Sequence, residues 1–512
     1  MRTHLILDEQ SAPRHEGVTF ALNPAVKHPE NPVMLPGEPH QWDSLQISWP
    51  ATVLYSPEEK KFRCWYSGLD VIQSPDRFWK PGYAESEDGI HWVKPDLGQV
   101  EFLGADTNRI EVDWGYSLLS CVFENPDPAA AESKRFASLW TEIGDGMSYL
   151  RKRLAYSPDG IHWTRERTVY EGIPFDRASF QDISQIVYDA EEPDPQFRIR
   201  AYSQLIRKRA YDGRDGVRHI GLAHGTAIDQ LAGAADPVSL APEQGIDEEL
   251  HFASVRKSDG QCPIPPGISP IPPGISPIPP GILPGGPPIG AKSIPPGTLP
   301  GGPPKSSAQF LMLFESDNFS RNPIHGDLKL AVSEDGRKFR RVHPRAPLVA
   351  TGPKGFWDEN LLVTTTSAMQ EVGDEVYIYY IGCPNIYNSW PPPYMVSPER
   401  RGSMFAPAYL GLATLPRDRY AYAEGPGSVT VQAHFGDIYI NADGDDIAVS
   451  ALDRSRTPLA LGRLTGETVE GVYRKVAWDR PLASAVAALR VSLGYGCRLY
   501  SVGMICQPST NN

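Results

Sequence analysis

The chain has 512 residues, of which 40% are hydrophobic and 22% charged, as expected for a soluble globular protein with one large or two smaller domains. Its net charge of −13 argues against a nucleic-acid partner or an anionic membrane surface, either of which would require a basic face. An uncharged carbohydrate ligand is compatible with that charge. No apolar run is long enough to span a bilayer, so no membrane partner is expected.

The N-terminus and the cysteines bear on location. The first nine residues, MRTHLILDE, lack the apolar core of a secretory signal. The six cysteines, at positions 64, 121, 262, 383, 497 and 506, are scattered without CxxC pairs, which is typical of reduced thiols. The sequence therefore predicts a cytoplasmic protein. It indicates no cofactor and leaves the oligomeric state open.

Residues 1–40 are rich in proline and histidine and show no periodicity, so we expect an N-terminal extension that wraps the body. Two apolar segments, 41–55 and 61–68, follow with a polar turn between them, which predicts a β-hairpin. Residues 83–92 would supply a third strand and the residues after Trp92 a fourth.

A repeat segment recurs along the chain. Clear copies are YAESEDGIHW at 83–92, LAYSPDGIHW at 154–163 and LAVSEDGRKF at 330–339, and weaker copies begin at Ile220 and Leu410. Each copy begins with an alternating apolar segment, and the clear copies continue with an Asp-Gly turn, which is typical of a strand, a tight turn and the next strand. Five copies at similar spacing, once a Pro/Gly tract is set aside, predict an all-β fold with a five-bladed β-propeller over residues 41–420.

The same strand order is expected in each later blade, where two strands precede the copy of the repeat segment. First strands are predicted at 113–123, 182–188, 251–255 and 357–364, and second strands at 135–140, 197–202, 309–314 and 376–380. The repeat segment then contributes the third strand of each blade.

The Pro/Gly tract at 263–304 repeats Ile-Pro-Pro-Gly units and falls between the first two strands of blade four. So much proline and glycine cannot pair as strands or bury a core. We interpret it as a low-complexity insertion on the face away from the starts of the first strands, and we expect its removal to be tolerated because loop closure depends only weakly on length.

The pattern changes after residue 415. Short alternating strands follow at 427–433, 437–441, 446–451, 473–478, 489–493 and 497–504. Their number and spacing predict a C-terminal β-sandwich over residues 425–512.

Acidic residues stand just ahead of four of the five predicted first strands, where a propeller would gather them around a central funnel. The candidate catalytic residues are Asp43, Asp113, Asp182, Asp358 and Glu359, and the candidate substrate-binding residues beside them are Trp42, Trp114, Trp357 and Gln181. Paired carboxylates are the groups that glycoside hydrolysis uses. Asp and Trp at strand starts also form turns and pack between blades, so a structural role stays open for each of them.

Other motifs carry less chemistry. The acidic run 247–249 lies near the first strand of blade four but is less cleanly placed. His91 and His162 belong to the repeat segment, so we interpret them as structural. The sequence contains no HExxH, P-loop or GxSxG motif and no zinc-ligand spacing, so no metal site is predicted.

With five predicted blades, acids ahead of first strands, NPVMLPGEP at 31–39 and CWYSG at 64–68, the chain resembles the five-bladed propeller glycosidases. That group includes the invertase-like fructosidases and the arabinanase and xylosidase enzymes of families 32 and 43. The resemblance implies that Asp43 is the base or nucleophile and that Asp182, or else Asp113, stabilises the transition state. Glu359 is preferred to Asp358 as the acid because its side chain reaches further. The invertase signatures Asn-Asp-Pro-Asn, Arg-Asp-Pro and Glu-Cys are absent.

Two alternatives remain open at this point. The Ser-x-Asp-Gly turn is similar to the Asp-box of sialidases, but its spacing is one residue short and no arginine triad can be placed. The second alternative is a carbohydrate-binding propeller without a working acid and base. In either case the predicted ligand is a carbohydrate.

Overall fold

A computed structural model describes most of the chain. The described residues are 2–56, 59–70, 79–112, 121–127, 130–143, 150–169, 180–258, 310–318, 325–384, 407–433, 436–469, 471–482 and 486–506, without the side chains of 2, 140–152, 165–184 and 506. Nearly all of their regular structure is β, and the helical elements among them are the 3₁₀ turns Glu132–Lys134 and Pro195–Phe197. None of the described helices has the length and apolar character needed to cross a membrane.

Four short N-terminal strands join two different sheets. They are β1 (Arg2–Leu5), β2 (His15–Glu16), β3 (Thr19–Leu22) and β4 (Val26–Lys27). The first three pair with strands near the C-terminus, and β4 pairs with a strand that starts at Tyr409. The N-terminal segment is therefore part of the sheets.

Group 1 of the body begins with three strands. They are β5 (Gln46–Ser56), β6 (Lys61–Leu69) and β7 (Lys80–Ser86), followed by the small hairpin β8 (Glu101–Phe102) and β9 (Ala105–Asp106). The fourth strand expected after Trp92 is reduced to one bridge between Glu85 and Val93. The ladder stops there because Pro95 has no N–H to donate, and the N–H of Tyr83 bonds to Asn108 instead.

Groups 2 and 3 are four-stranded antiparallel sheets in chain order. Group 2 comprises β10 (Cys121–Glu124), β11 (Phe136–Ile143), β12 (Leu150–Ser157) and β13 (Thr164–Val169). Group 3 comprises β14 (Phe180–Tyr188), β15 (Ile199–Arg207), β16 (Val217–Gly225) and β17 (Ala232–Leu240).

Groups 4 and 5 follow the same order. Group 4 comprises β18 (Glu249–Lys257), β19 (Phe310–Asn318), β20 (His325–Ser333) and β21 (Arg340–Val342). Group 5 comprises β22 (Leu361–Val372), β23 (Glu375–Cys383) and β24 (Tyr409–Pro416), with β4 as its outermost strand. The predicted Pro/Gly tract lies outside the described residues, and the strands on either side of it pair at Lys257 and Phe310.

The C-terminal strands form one sheet with β1–β3. They are β25 (Ala421–Glu424), β26 (Gly427–Gln432), β27 (Gly436–Asp443), β28 (Ile447–Leu452), β29 (Pro458–Val469), β30 (Tyr473–Trp478), β31 (Ala488–Leu493) and β32 (Arg498–Cys506). Six of the eight match predicted strands. The sequence analysis missed β25 and β29.

The first strands of the five groups contact one another in a closed order. β5 contacts β10 and β22, β14 contacts β10 and β18, and β18 contacts β22. Single parallel bridges, Gly326 to Leu361 and Thr366 to Thr52, connect groups 4, 5 and 1. The first strands of these three groups therefore run in the same direction and begin at the same end, which we call the upper end.

The clear repeat segments form the same turn. In the first copy, the Asp88 carboxylate accepts the N–H groups of Ile90 and His91, and the Ser86 hydroxyl accepts the N–H of Gly89. Burial raises the pKa of Asp88, but the hydrogen bonds from His91 and the backbone outweigh it and bring the pKa to about 2. His91 bonds to Asp88 within the turn, and His162 bonds in the same way to its own aspartate, which confirms their structural role.

Each of these turns is also fastened to a neighbouring group by what we call a latch. The carbonyls of Gly89, Gly160 and Gly336 accept hydrogen bonds from the side chains of Tyr379 (2.9 Å), Trp65 (2.6 Å) and Tyr202 (2.6 Å), respectively. All three donors lie on the second strand of another group. The three glycines have φ values of 70–82°, and a Cβ at any of them would approach its donor side chain within 2.3–3.1 Å. Glycine is therefore required at this position for two reasons, the positive φ and the close approach of the donor side chain.

Asp418 is buried where the body meets the C-terminal sheet. Its carboxylate accepts a hydrogen bond from the Tyr473 hydroxyl (2.7 Å). Burial, followed by the nearby Glu371, raises the pKa of Asp418 to about 6. Since the folded pKa exceeds that of the unfolded chain, the stability contributed by this group is complete below about pH 3.8 and is lost as the pH rises through 6.

We therefore predict that Asp418→Asn stabilises the protein in a pH-dependent way. Asparagine can accept the same hydrogen bond and tolerates the φ of 58° at this position. The variant should exceed the natural chain in unfolding free energy by about 3 kcal/mol at pH 7.5 and by about 1 kcal/mol at pH 4.5. Urea titrations at the two pH values measure both differences, and an equal difference at both would contradict the raised pKa.

Candidate functional site

Asp43 lies in the loop that leads into β5 and is only 1% exposed. Its carboxylate accepts hydrogen bonds from the Tyr66 hydroxyl (2.7 Å) and from the Lys94 ammonium (2.6 Å). Two donors from different parts of group 1 thus fix the orientation of this carboxylate at the upper end.

Trp42 forms the wall beside Asp43. Its ring stacks on Tyr66 at 5.8 Å, and its indole N–H donates to Asn108 Oδ1 (2.7 Å). The ring also covers Gly68 and Gly82, where a Cβ would come within 2.4–2.6 Å of it. Because the ring is buried, Trp42 offers a ligand little surface in this structure.

The same arrangement occurs a second time, in the loop that leads into β22. Trp357 stacks on Tyr380 at 5.8 Å and covers Gly382 and Gly411. The Asp358 carboxylate accepts hydrogen bonds from the hydroxyl of the same tyrosine (3.3 Å) and from Lys27 (2.5 Å). Asp43 and Asp358 are therefore equivalent positions of groups 1 and 5.

Glu359 differs from Asp358. Its side chain is partly exposed and accepts the backbone N–H of Gly355 within its own loop. The buried member of the pair is thus Asp358, and the member that solvent can reach is Glu359.

The other predicted site residues cannot be placed to the same extent. Asp113 and Trp114 lie outside the described residues. Gln181 and Asp182 belong to β14, but their side chains lie outside the described ones. Of the predicted set, the structure thus brings Asp43, Asp358 and Glu359 to the upper ends of adjacent groups.

A second group of polar side chains, which we call the His251 cluster, lies at the upper end of group 4. It comprises Glu249 and His251 on β18 and Glu315 and Asp317 on β19. All four are at most 5% exposed. His251 Nδ1 stands 3.9 Å from Glu315 Oε1 and 4.0 Å from Asp317 Oδ2, and its Nε2 stands 3.9 Å from Glu249 Oε2.

Strand geometry explains the cluster. Glu315 and Asp317 are two positions apart on β19, so their side chains share one face. Glu249 is the direct partner of Asp317 in the ladder. The register shifts between Leu250 and Ala253, and this irregularity sets His251 opposite the two acids.

A positively charged side chain, that of Arg218, lies beside the carboxylates of the cluster. Arg218 on β16 pairs with Glu249 at 2.8 Å. Burial, followed by repulsion from Arg218, lowers the pKa of His251 well below 6.5. Burial and the nearby Glu315 raise the pKa of the Cys383 thiol to about 12.

The cluster adjoins the loop that carries Asp358 and Glu359. A Cβ on Gly326 would lie 2.4 Å from Asp317 Oδ1 and 2.4 Å from Leu361, so only glycine lets the two approach. The N–H of Gly326 donates to the carbonyl of Asn360 (3.0 Å), which directly follows Glu359. Groups 4 and 5 thus meet at the His251 cluster.

The His251 cluster was missed by the sequence analysis, which noted only the acidic run 247–249. His251 and Glu315 are separated by the Pro/Gly tract, and the register between their strands cannot be read from either strand alone. One signal was available. The segment FLMLFESDN places two acids in an otherwise apolar strand, and buried acids of that kind need partners.

No family model matches the chain, and no curated protein matches it in sequence. Solved structures do resemble it. A glycosyl hydrolase from Bacteroides ovatus is 13% identical over 78% of this chain and 96% of its own, with a TM-score of 0.43. An N-acetylgalactosamine deacetylase from F. plautii, in complex with blood group B trisaccharide, is 14% identical over 78% of this chain and 96% of its own, with a TM-score of 0.42.

A fructofuranosidase from Schwanniomyces occidentalis, complexed with fructosylnystose, is 10% identical over 94% of this chain and 96% of its own, with a TM-score of 0.39. At these identities and TM-scores, the likeness assigns neither a substrate nor a mechanism. The structural neighbours of this chain include glycoside hydrolases.

Proposed function

We propose that groups 1 to 5 are the blades of a five-bladed β-propeller over residues 41–420, with a C-terminal β-sandwich over 425–512. The closed order of contacts among the first strands supports this architecture. Within residues 1–40, β4 would complete blade five, whereas β1 to β3 pair with strands of the C-terminal sheet. The tract at 263–304 would be an insertion in blade four, at the end opposite the upper end.

On this architecture, the protein is a glycoside hydrolase that acts on a small glycoside or oligosaccharide in a funnel at the upper end. The observation that carries the proposal is the convergence of carboxylates from blades one, four and five at that end. Glycoside hydrolysis requires one carboxyl group as acid and a second as base or nucleophile. A furanoside substrate is the specificity that the family resemblance implies.

Roles are assigned residue by residue. Asp43 is the base or nucleophile, since Tyr66 and Lys94 already hold its carboxylate in one orientation. Glu359 is the acid, because it is the member of its pair that solvent reaches. Asp182 is assigned to stabilise the oxocarbenium-like transition state, with Asp113 as the alternative.

One observation favours a second candidate function, that of a carbohydrate-binding propeller without catalysis. Asp43 and Asp358 have the same kinds of partner in two blades, namely a lysine, a tyrosine and a stacked tryptophan. Such repetition is also what structural ion pairs would produce. In the glycoside hydrolase the carboxylates would catalyse cleavage of the bound carbohydrate, and in the binding propeller they would not.

A turnover measurement tests the proposal. The natural chain is screened against aryl furanosides and pyranosides, and Asp43→Asn and Glu359→Gln are then assayed on whichever glycoside is cleaved. Each variant should lose at least about 10²-fold in rate, because a general acid or base contributes at least that much. Asp358→Asn is the matched control, because it alters an equivalent buried ion pair without a proposed acid or base role.

The controls separate catalysis from folding. Melting temperatures of Asp43→Asn and Asp358→Asn should fall by similar amounts, whereas only Asp43→Asn should lose the rate. Wild-type rates in both Asp43→Asn and Glu359→Gln would refute the catalytic assignment. Carbohydrate binding without any turnover across the panel would support the binding propeller.

A further inference from the structure

We propose that His251, Glu315 and Asp317 bind one first-row divalent metal ion, such as Zn²⁺ or Mn²⁺, at the upper end of group 4. These are the residues of the His251 cluster whose ligand atoms all lie within 4.8 Å of one another. The proposal concerns ion binding and does not depend on glycosidase activity.

The distances fit a common ion. Atoms that each bind a metal at about 2.0–2.4 Å stand roughly 3–4.5 Å from one another. The separations from His251 Nδ1, 3.9 Å to Glu315 Oε1 and 4.0 Å to Asp317 Oδ2, fall within that interval. Small rotations of the carboxylates would complete the coordination.

The strands that carry the three proposed ligands hold them in fixed positions. The three side chains stand on adjacent paired strands, two of them on one face of β19. Ligands on strands are held more precisely than ligands on loops. The glycine at position 326 keeps the space beside Asp317 open, since any Cβ there would displace its carboxylate.

The outer shell places a third carboxylate near the second ring nitrogen of His251. With Nδ1 turned to the ion, Nε2 of His251 faces Glu249 Oε2 at 3.9 Å, which is beyond hydrogen-bond distance. A side-chain rotation that closes this gap on metal binding would orient the imidazole and strengthen it as a ligand. Arg218 in turn pairs with Glu249, which places a positive charge behind the carboxylate and away from the ion.

Charge and ligand type select the class of ion. Two carboxylates match a divalent cation in charge, and burial excludes the solvent that would otherwise screen them. One imidazole nitrogen with two carboxylate oxygens suits Zn²⁺, Mn²⁺ or Fe²⁺. Ca²⁺ and Mg²⁺ prefer sites made of oxygen alone.

Metal titration of the full chain tests the proposal. After treatment with a chelator, the natural chain should bind one Zn²⁺ or Mn²⁺ per molecule in calorimetry, with an increase in melting temperature. His251→Gln and Asp317→Asn should weaken binding by more than the 10–100-fold that loss of an outer-shell partner causes. His325→Gln is the matched control, because it alters a nearby histidine–aspartate pair (2.8 Å) outside the site and should keep full binding.

Gly326→Ala provides a variant that leaves all three ligands chemically intact. Its new methyl group would meet Asp317 Oδ1, so binding should again weaken by at least 10-fold. Absence of Zn²⁺ and Mn²⁺ binding by the natural chain would overturn the proposal, as would unchanged stoichiometry and affinity in the folded variants. If a ligand variant does not fold, the absorption spectrum of the natural chain with Co²⁺ tests the proposal. Co²⁺ bound at this site should show bands typical of mixed nitrogen and oxygen ligands, and absence of such bands would contradict the proposal.

Discussion

Replacing Trp65 by alanine is expected to lower the free energy of unfolding by about 3–5 kcal/mol. Trp65 is among the largest fully buried side chains of the protein. Its ring packs against Tyr83 and against Phe136 of the next group, and its N–H forms the latch to Gly160. The substitution therefore opens a cavity at a junction between two groups and also removes one of the two donors to the Gly160 carbonyl, the other being the Trp163 indole N–H (2.9 Å). Urea denaturation of the full chain measures the loss.

Two further variants separate the contributions. Trp65→Phe keeps most of the apolar volume and removes one of the two donors to the Gly160 carbonyl, so it should cost less than Trp65→Ala, with about 0.5–1.5 kcal/mol for the lost hydrogen bond. Tyr495→Ala removes an aromatic ring that is 88% exposed and should change stability by less than about 0.5 kcal/mol. A Trp65→Ala cost no larger than that of Tyr495→Ala would show that the latch and its packing do not hold the groups together.

Replacing Arg200 by methionine should cost about 3–5 kcal/mol, the range for breaking a buried ion pair. Arg200 is completely buried on β15, pairs with Glu192 and lies 3.7 Å from Asp189. It also donates to the carbonyl of Asp335 (3.0 Å), in the repeat segment of the next group. Methionine keeps the apolar stem but leaves buried carboxylates with fewer positive neighbours. The free energy of unfolding is again the quantity to measure.

Two further variants serve as controls for this prediction, one in an exposed ion pair and one in the buried ion pair of Arg200. Arg480→Met removes an arginine that is 67% exposed and pairs with Asp479 at 3.2 Å, and it should cost no more than about 1 kcal/mol. Combining Arg200→Met with Glu192→Leu should recover part of the loss, because the buried Glu192 carboxylate, which keeps Arg337 (3.3 Å) but has lost Arg200, is then gone. Equal costs for Arg200→Met and Arg480→Met would contradict the importance of the buried pair.

The repeat segments show how far sequence reasoning reaches in the fold. Alternation and the Asp-Gly turn are local signals, so the strands and turns around Asp88 and Asp159 could be predicted from the residues themselves. The latch between Trp65 and Gly160 could not, because it depends on how two groups face each other. The weak fourth strand of group 1 could be predicted from Pro95, which cannot donate to a ladder. The pairing of β4 with group 5 could not be predicted, because no local sequence signal indicates it.

The candidate site, too, could be predicted from the sequence only in part. Asp43 and Asp358 were located as acids ahead of strands, and their shared surroundings became evident only from the positions of Lys94 and Lys27. The His251 cluster depends on strand register and on one irregularity in β18. Both are properties of a pair of strands, and an insertion separates the two strands in the chain.

The pairing of β1 with β32 has a consequence for how the protein is made. Arg2 to Leu5 align with Met504 to Ser501, so β1 can form its ladder only after all the residues between the two strands have been synthesised. β4 likewise waits for β24. Vectorial synthesis thus leaves unpaired strand edges exposed through most of elongation, and contacts so distant in sequence close slowly. We expect the nascent chain to engage chaperones until β32 has been synthesised and can pair with β1.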